Sequence, residues 1–494
     1  MFSISSQVLY LVSASLAGFV TVPLFLRSRK LDAIPTVVST NSWRSAIKNL
    51  MGASGIIQEG YNKYKNAPFK IPMLYNWIVV VSGTKLLDEV RMAPDDQLSS
   101  VEGANDFFKT AFTMGHRVAN EPYHLGIIKT QLTRKLPNLC PIIEDEVSAS
   151  LDDMFSLQND EWKPVVALQA SRDVVSRVFN RIFVGLPLCR NPDWLKFGNQ
   201  HAIDSIVSMA KMDLFPRFML VAIFLTSTRN HVERGVEFLG PAIMERRQSA
   251  DRARGGEVVD VPDDFLQWLM ENGTESAERD ITQRMLNMIF VSVQGTASSL
   301  TRVVYDLAAH PEYLVPLREE VDAVVRQDGW TKVAIDKMYK IDSFLKESYR
   351  FDGVSSLVMI RKVLKDFTFS DGRVVPRGCY IAAPSYAVHH DVEFYEKPDD
   401  FDPFRYIRLH RDGDDMKQQV VSLGSNFLAF GHGKHACPGR FVAATIQKII
   451  LARIVSSYDL KLDNAPAPSK SVEFGVFIGP DPNTTILLKK RSFN

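Results

Sequence analysis

One cysteine in this 494-residue chain sits where a thiol could do chemistry. It is Cys437, in the run Phe430-Gly-His-Gly-Lys-His-Ala-Cys-Pro-Gly-Arg440. Gly431 and Gly433 allow backbone angles that a side chain forbids, so the run predicts a tight, bent loop. Pro438 and Gly439 follow at once, and proline favours the first helical position. Behind them Val442, Ile446, Ile449, Ile450 and Ile454 recur at helical spacing. Cys437 is thereby placed at a helix N-terminus, where backbone N–H groups and the dipole favour a thiolate. A thiolate there can be a nucleophile, a metal ligand or neither.

Zinc asks for several Cys or His ligands at short spacing, and Cys140, Cys189 and Cys379 lie far off in sequence. A cysteine nucleophile needs a base beside it, and His435, two residues back, would point elsewhere along a bent loop. A single thiolate on a glycine-rich turn suits one axial bond to haem iron. The plain alternative is a small buried cysteine ahead of a helix.

Two further clusters carry polar groups at suggestive spacing. Asp280 to Ala309 is the longest uninterrupted helical pattern, roughly 45 Å at 1.5 Å per residue. Midway lies Ser292-Val-Gln-Gly-Thr-Ala-Ser-Ser299, a poor helix-forming patch in which Gly295 costs about 1 kcal/mol relative to alanine. Either a close helix crossing or a locally opened turn would explain it. Glu347 and Arg350, three apart, meet on one helical face. Alone, such a pair is a surface ion pair worth less than about 1 kcal/mol.

The elements that must position these groups are mostly helical. Helical patterns cover His124–Leu136, 140–160, 168–184, 198–227, 229–254, Asp280–Ala309, a segment opened by His310-Pro-Glu312, and Ile341–Arg350. A short helix begins at Leu87–Arg91. Phe69–Pro72 and Trp77–Gly83 read as a β-hairpin, and Phe367–Gly372 carries a hairpin turn signal. Val354–Met359 reads as an extended segment. Ser471–Leu488 alternates as a hairpin whose tip lies near Val476 and Phe477. Asn105–Gly115 and Asp251–Asp264 read as loops, the first mobile and the second exposed.

The composition is 46% hydrophobic with a net charge of +1, which supports a large core and argues against a nucleic-acid partner. Four scattered cysteines point to a reducing compartment. Val8 to Leu26 carries no charge and is bounded by Arg27-Ser-Arg-Lys30. That predicts a membrane anchor over 1–30, with the basic cluster holding residues 31–494 on the cytoplasmic side as one domain. No linker or low-complexity tract divides the remainder.

The whole string F-G-x-G-x-H-x-C-x-G resembles the haem-binding loop of the cytochrome P-450 family. Glu347 and Arg350 match its E-x-x-R motif, and Phe401-Asp-Pro-Phe-Arg-Tyr406 matches the later motif that supplies Arg405. The resemblance implies a mainly α fold with small β-sheets, and haem b with Cys437 as axial ligand. It implies that Phe430, Gly431, Gly433 and Gly439 frame the cofactor, and that Arg361, His435 and Lys129 are partners for its propionates. Glu347, Arg350 and Arg405 would form a buried structural network. The family's usual acid followed by threonine is replaced here by Gln294 and Gly295, with Thr296 one place later. Proton delivery would then fall to Thr296, Ser292 or an ordered water, because Gln294 cannot relay a proton as an acid does.

A substrate pocket is expected from Phe290, Val293, Gln294, Val358, Val476 and Phe477. The resemblance also implies NADPH supplied through a separate reductase, since no glycine-rich dinucleotide motif follows a strand here. Leu132-Thr-Arg134, Phe183-Val-Gly-Leu-Pro-Leu-Cys-Arg-Asn191 and His310-Pro-Glu-Tyr313 resemble the microsomal fungal secondary-metabolism members. These are single-pass proteins of the endoplasmic reticulum that hydroxylate terpenoids with O2. Two rival activities stand beside monooxygenation of a bulky hydrophobic substrate. One is rearrangement, desaturation or dehydration of an oxygenated intermediate, and the other is haem carriage or sensing without turnover.

Overall fold

The computed structural model describes residues 31–37, 42–73, 76–155, 161–214, 229–273, 277–410, 418–463 and 471–492. Its axis is the helix Glu278–Ala309, called the central helix below. Apolar residues occur all round it, so it can be buried on most sides. It packs against Ala167–Phe183, Pro192–Leu214, Arg229–Arg254 and Tyr339–Phe351. Ile281, Met285, Ile289, Val293, Leu300 and Val303 join the largest buried cluster there. The helix Arg440–Ser457, called the cysteine helix below, enters the same core through Val442, Ile446, Ile449 and Ile450.

Small sheets flank this helical body. Phe69–Pro72 and Trp77–Val80 pair antiparallel, as the hairpin reading predicts. Trp77–Val80 runs parallel to Tyr380–Ala383, whose other side takes Val358–Val363 antiparallel. Leu98–Ser99 completes that sheet at the far edge of Val358–Val363. A bulge between Val358 and Arg361, with Met359 at φ +55°, re-aims this strand toward the cysteine loop. The turn at Phe367–Gly372 also forms a hairpin, Phe367–Thr368 with Val374–Val375.

Several expectations need correction. Asn105–Gly115 is not a loop but the end of helix Ser100–Phe108 followed by Thr110–Thr113. Ser99 caps the first by accepting the Glu102 N–H at 3.1 Å, and left-handed Lys109 makes the break. Ion pairs Lys109–Asp213 (2.8 Å) and Lys362–Asp106 (2.7 Å) then tie the segment down. His124–Leu136 is not one regular helix: a wide turn, Ile128–Leu132, separates Tyr123–Ile127 from Leu136–Met154. Helix Arg229–Arg254 runs into the expected loop at Asp251.

Ser471–Leu488 divides in two. Val472–Phe474 and Phe477–Gly479 form a small hairpin, whereas Thr485–Lys490 pairs with Tyr458–Leu462 and Lys163–Val166 in another sheet. Helix Pro192–Leu214 occupies the described part of 198–227. The anchor expected over 1–30 lies outside the described residues. Among those described, no helix is long and apolar enough to cross a membrane.

Candidate functional site: a cysteine loop beneath the central helix

The Cys437 N–H donates to the Phe430 carbonyl at 2.9 Å and closes the loop between them. Gly431 (φ +72°) and Gly433 (φ +78°) adopt the angles expected of glycine. At Gly433 an added Cβ would lie 2.2 Å from the Arg91 Cγ, so that position also needs the missing side chain for space. Gly439 differs. It caps the cysteine helix at φ −88°, and an added Cβ there meets nothing within 4 Å.

Cys437 retains accessible surface, yet protein crowds it on most sides. That is the situation of a side chain facing an interior cleft. Burial raises its thiol above the ordinary range, against the opposing pull of the Gly439 and Arg440 N–H groups and the Arg440 charge. The helix start alone therefore does not outweigh desolvation, contrary to the expectation from its position. A bound cation would complete the balance, because a metal deprotonates a coordinating thiol.

Within the central helix, accessible surface reappears midway. Val291 is 48% exposed and Gly295 is also exposed, one turn apart, while Val293, Thr296, Ala297 and Leu300 are buried. Residues are about 100° apart around a helix, so Val291, Gly295 and Ser299 share one face and Val293 lies opposite. Val293 thus belongs to the core rather than to a pocket lining. Thr296 is buried and rotated away from Gly295. The helix is unbroken, so no opened turn brings Thr296 back. A Cβ added at Gly295 meets nothing within 4 Å, which removes close helix crossing as well. Ser292 and Gln294 are half-buried at the margins of the exposed face, and Gln294 Nε2 is buried without a hydrogen-bond partner among the described residues.

Sequence reading missed a link between this face and the cysteine helix. Gln447 Nε2 donates to Ser299 Oγ at 2.9 Å, and Ser299 Oγ donates to the Gly295 carbonyl at 3.0 Å. Nearby, the buried Tyr349 ring meets Phe430 edge-on at 5.7 Å. Ser299 belonged to the poor helix-forming patch, which was the available signal. Nothing local marks Gln447.

Arg361, on the bulged strand, is 3% exposed. Its Nη1 donates to Ser100 Oγ (3.1 Å) and to the Ile360 carbonyl (3.2 Å). Among the described residues no carboxylate pairs with it, and burial lowers its pKa to about 10. His435 Nε2 lies 2.6 Å from Asp95, which also holds Lys434 at 2.9 Å. Burial lowers the His435 pKa, Asp95 opposes this, and the Arg361 charge lowers it further. Lys129 is not brought to them: it is exposed on the wide turn, with no partner among the described residues.

These residues fit an iron porphyrin. A lone thiol suits the metal, a glycine-cleared loop suits a flat ring, and a buried guanidinium without an acid suits a carboxylate. Orphaned buried nitrogens at His432 Nδ1 and Arg440 Nε add donors or acceptors in the same loop.

The loop is held by a buried ionic network. Glu347 accepts from Arg350 Nε and Nη2, both at 2.8 Å, and from Arg405 Nε at 3.2 Å. Glu347 and Arg350 have no exposed surface and Arg405 is 8% exposed. The Arg350 Nη1 donates to the carbonyls of His389 (2.7 Å) and Pro398 (2.8 Å). His389 Nε2 then accepts the Leu428 N–H at 2.8 Å, two residues before Phe430.

Beyond the exposed helix face lies an aromatic group. Phe290 is buried with Phe108, Val118, Ala202 and Met209, its ring 6.4 Å from that of Phe108. Phe477 is 39% exposed and meets Phe107 at 5.5 Å and Phe108 at 6.2 Å. Val476 is buried beneath the hairpin tip, and Val358 is half-buried. Phe107 and Phe108 escaped the sequence reading because their segment read as a loop.

Residues 51–487 match the family described as Cytochrome P450, and the chain belongs to that family. It is a monooxygenase-class oxidoreductase. It is 37% identical to Cytochrome P450 monooxygenase 151 of Postia placenta, covering 96% of this chain and 97% of that protein. It is 32% identical to Cytochrome P450 monooxygenase CYP512U6 of Ganoderma lucidum, covering 93% and 92%. It is also 33% identical to Ent-kaurene oxidase P450-4 of Gibberella fujikuroi, covering 91% and 90%.

Proposed function

We propose that this protein inserts one oxygen atom from O2 into a bulky hydrophobic substrate of the terpenoid or related secondary-metabolite class. Its electrons come from NADPH through a separate reductase. The observation that carries this reading is Cys437, set on a glycine-cleared loop and tied through the cysteine helix to the exposed face of the central helix. Haem b, when bound, supplies the oxygen chemistry, and thiolate donation favours O–O cleavage. Cys437 would hold its iron through the thiolate. Arg361 and His435 would pair with the propionates, while Phe430, Gly431 and Gly433 would leave the ring its room. Phe107, Phe108, Phe290, Val291, Val358 and Phe477 present apolar surface that excludes water and orients a hydrophobic ligand. The terpenoid class is supported by the ent-kaurene oxidase relative. Val8–Leu26 anchors the chain in the endoplasmic reticulum membrane, with residues 31–494 on the cytoplasmic side.

The test is the spectrum of reduced, CO-bound, full-length protein. A red-shifted Soret band typical of a thiolate complex is expected, and a histidine-type spectrum in folded protein would refute the Cys437 assignment.

A second reading rests on Gly295 and Thr296. With no side chain at the first and the second buried, proton delivery by the usual pair is absent, which favours redox-neutral rearrangement or dehydration of an already oxygenated substrate. NADPH and O2 consumed per product separate the two, since a rearrangement consumes neither.

A further inference from the structure

The hairpin Val472–Phe474/Phe477–Gly479 pairs through three residues on each strand. A two-stranded hairpin that short is marginal alone, so outside contacts decide where it stands. At its tip, the Ser356 N–H and Oγ donate to the Val476 carbonyl at 2.7 and 3.1 Å. The Gly475 N–H donates to the Leu50 carbonyl at 2.8 Å, and the Ala53 N–H donates to Gly475 O at 2.9 Å. At its base, Arg302 reaches across from the central helix. Its Nη2 donates to Ser471 Oγ (2.9 Å) and the Gly479 carbonyl (2.7 Å), and Nη1 donates to Asp352 Oδ1 (3.3 Å). One guanidinium, 2% exposed, thus holds the start of one strand and the end of the other. Tyr305, one turn later, donates to the Asp481 carbonyl at 3.0 Å just past the hairpin.

The same helix reaches the tip only through Phe108. Phe290, about 18 Å before Arg302 along the axis, belongs to the aromatic group that receives Phe477 through Phe108. The central helix therefore grips the base of the hairpin with Arg302, while the tip rests on Phe107 and Phe108, the second of which packs on Phe290. The space beside Phe477 depends on these outside contacts together, because the strands contribute too few bonds to fix it themselves, and the Arg302 grip is a contact that spans both strands.

We infer that Arg302 is a positioning residue for substrate selectivity, clamping the hairpin so that Phe477 sets the size of the apolar pocket. Arg302 touches no substrate. The inference rests on the reading of that space as the substrate pocket. A guanidinium is required because its planar fork serves Ser471, Gly479 and Asp352 together, whereas a lysine ammonium is a single point on a flexible stem.

The experiment uses full-length, haem-loaded Arg302→Lys and Ser471→Ala proteins with two iron-binding probes. Imidazole is small and needs only the iron, whereas clotrimazole, a bulky triaryl imidazole, must also fit beside Phe477. Both variants are expected to keep the wild-type imidazole Kd while the clotrimazole Kd changes by about fivefold or more. Amide exchange across 472–479 should rise about tenfold in both. Unchanged exchange with an unchanged ratio of Kd values would overturn the clamp, and so would equal weakening of both probes. Should Arg302→Lys fail to fold, Ser471→Ala decides, since it removes one bond and no charge. If imidazole leaves the wild-type Soret band unmoved, the haem reading fails, and exchange then judges the clamp by itself.

Discussion

Replacing Glu347 with alanine strands two guanidiniums. The carboxylate takes two 2.8 Å bonds from Arg350, one at 3.2 Å from Arg405 Nε and one at 3.0 Å from the Asp402 N–H. All of this lies at 0% exposure for Glu347 and Arg350, so water cannot substitute freely. Breaking a buried pair by removing one partner costs about 3–5 kcal/mol. The surviving bonds of Arg350 to His389 and Pro398, and of Arg405 to Glu396, keep both cations partly solvated by carbonyls. That places Glu347→Ala near the lower end, about 3–4 kcal/mol, a large part of a typical total stability of 5–15 kcal/mol. Glu347→Gln keeps the shape and one acceptor but loses the charge, and should cost less, about 2 kcal/mol. Because His389 links this network to Leu428 beside the cysteine loop, haem retention should fall along with stability. The assay is denaturant unfolding followed by far-UV circular dichroism, with the haem-to-protein ratio measured on the same samples. A Glu347→Ala protein with the wild-type midpoint and full haem would refute the reasoning.

Three other outcomes are expected. Gly433→Ala should lose haem, since a left-handed alanine costs about 1–2 kcal/mol and its Cβ would collide with Arg91; a wild-type CO-difference spectrum would contradict the loop geometry. Thr296→Ala should leave the ratio of product to NADPH unchanged, because Thr296 is buried away from the Gly295 face; a lower ratio would return it to the mechanism. His201→Phe should become progressively more stable than wild type on acidification. Burial and the neighbouring His231 depress His201 from 6.5 to about 4, so over that range the unfolded chain binds a proton that the folded one does not. Wild type then loses about 1.4 kcal/mol per pH unit relative to the variant, roughly 3 kcal/mol by pH 4. A pH-independent difference in urea midpoints would show that His201 stays at its ordinary value.

How much was legible in sequence depended on range. The cysteine loop, the start of its helix, the Glu347–Arg350 spacing and the Phe69–Val80 hairpin all rest on neighbours within a few residues. Glycine angles, proline positions and helical or alternating periods act at that range, so they could be read directly. Asn105–Gly115 was misread as a loop although the Ser99 cap of its first helix is local, because aromatic and polar residues there gave no clean period and long-range ion pairs hold it.

Tertiary structure alone decided which side of the central helix stays accessible. That helix is apolar nearly all round, so its sequence names no preferred face, and Val293 and Thr296 looked as eligible as Val291 and Gly295. Packing against four helices buried one arc and left the other accessible. The meetings of Gln447 with Ser299 and of Arg302 with the C-terminal hairpin were likewise invisible. Each joins residues far apart in the chain, and nothing local distinguishes a polar side chain that will be buried with a distant partner from one left in water.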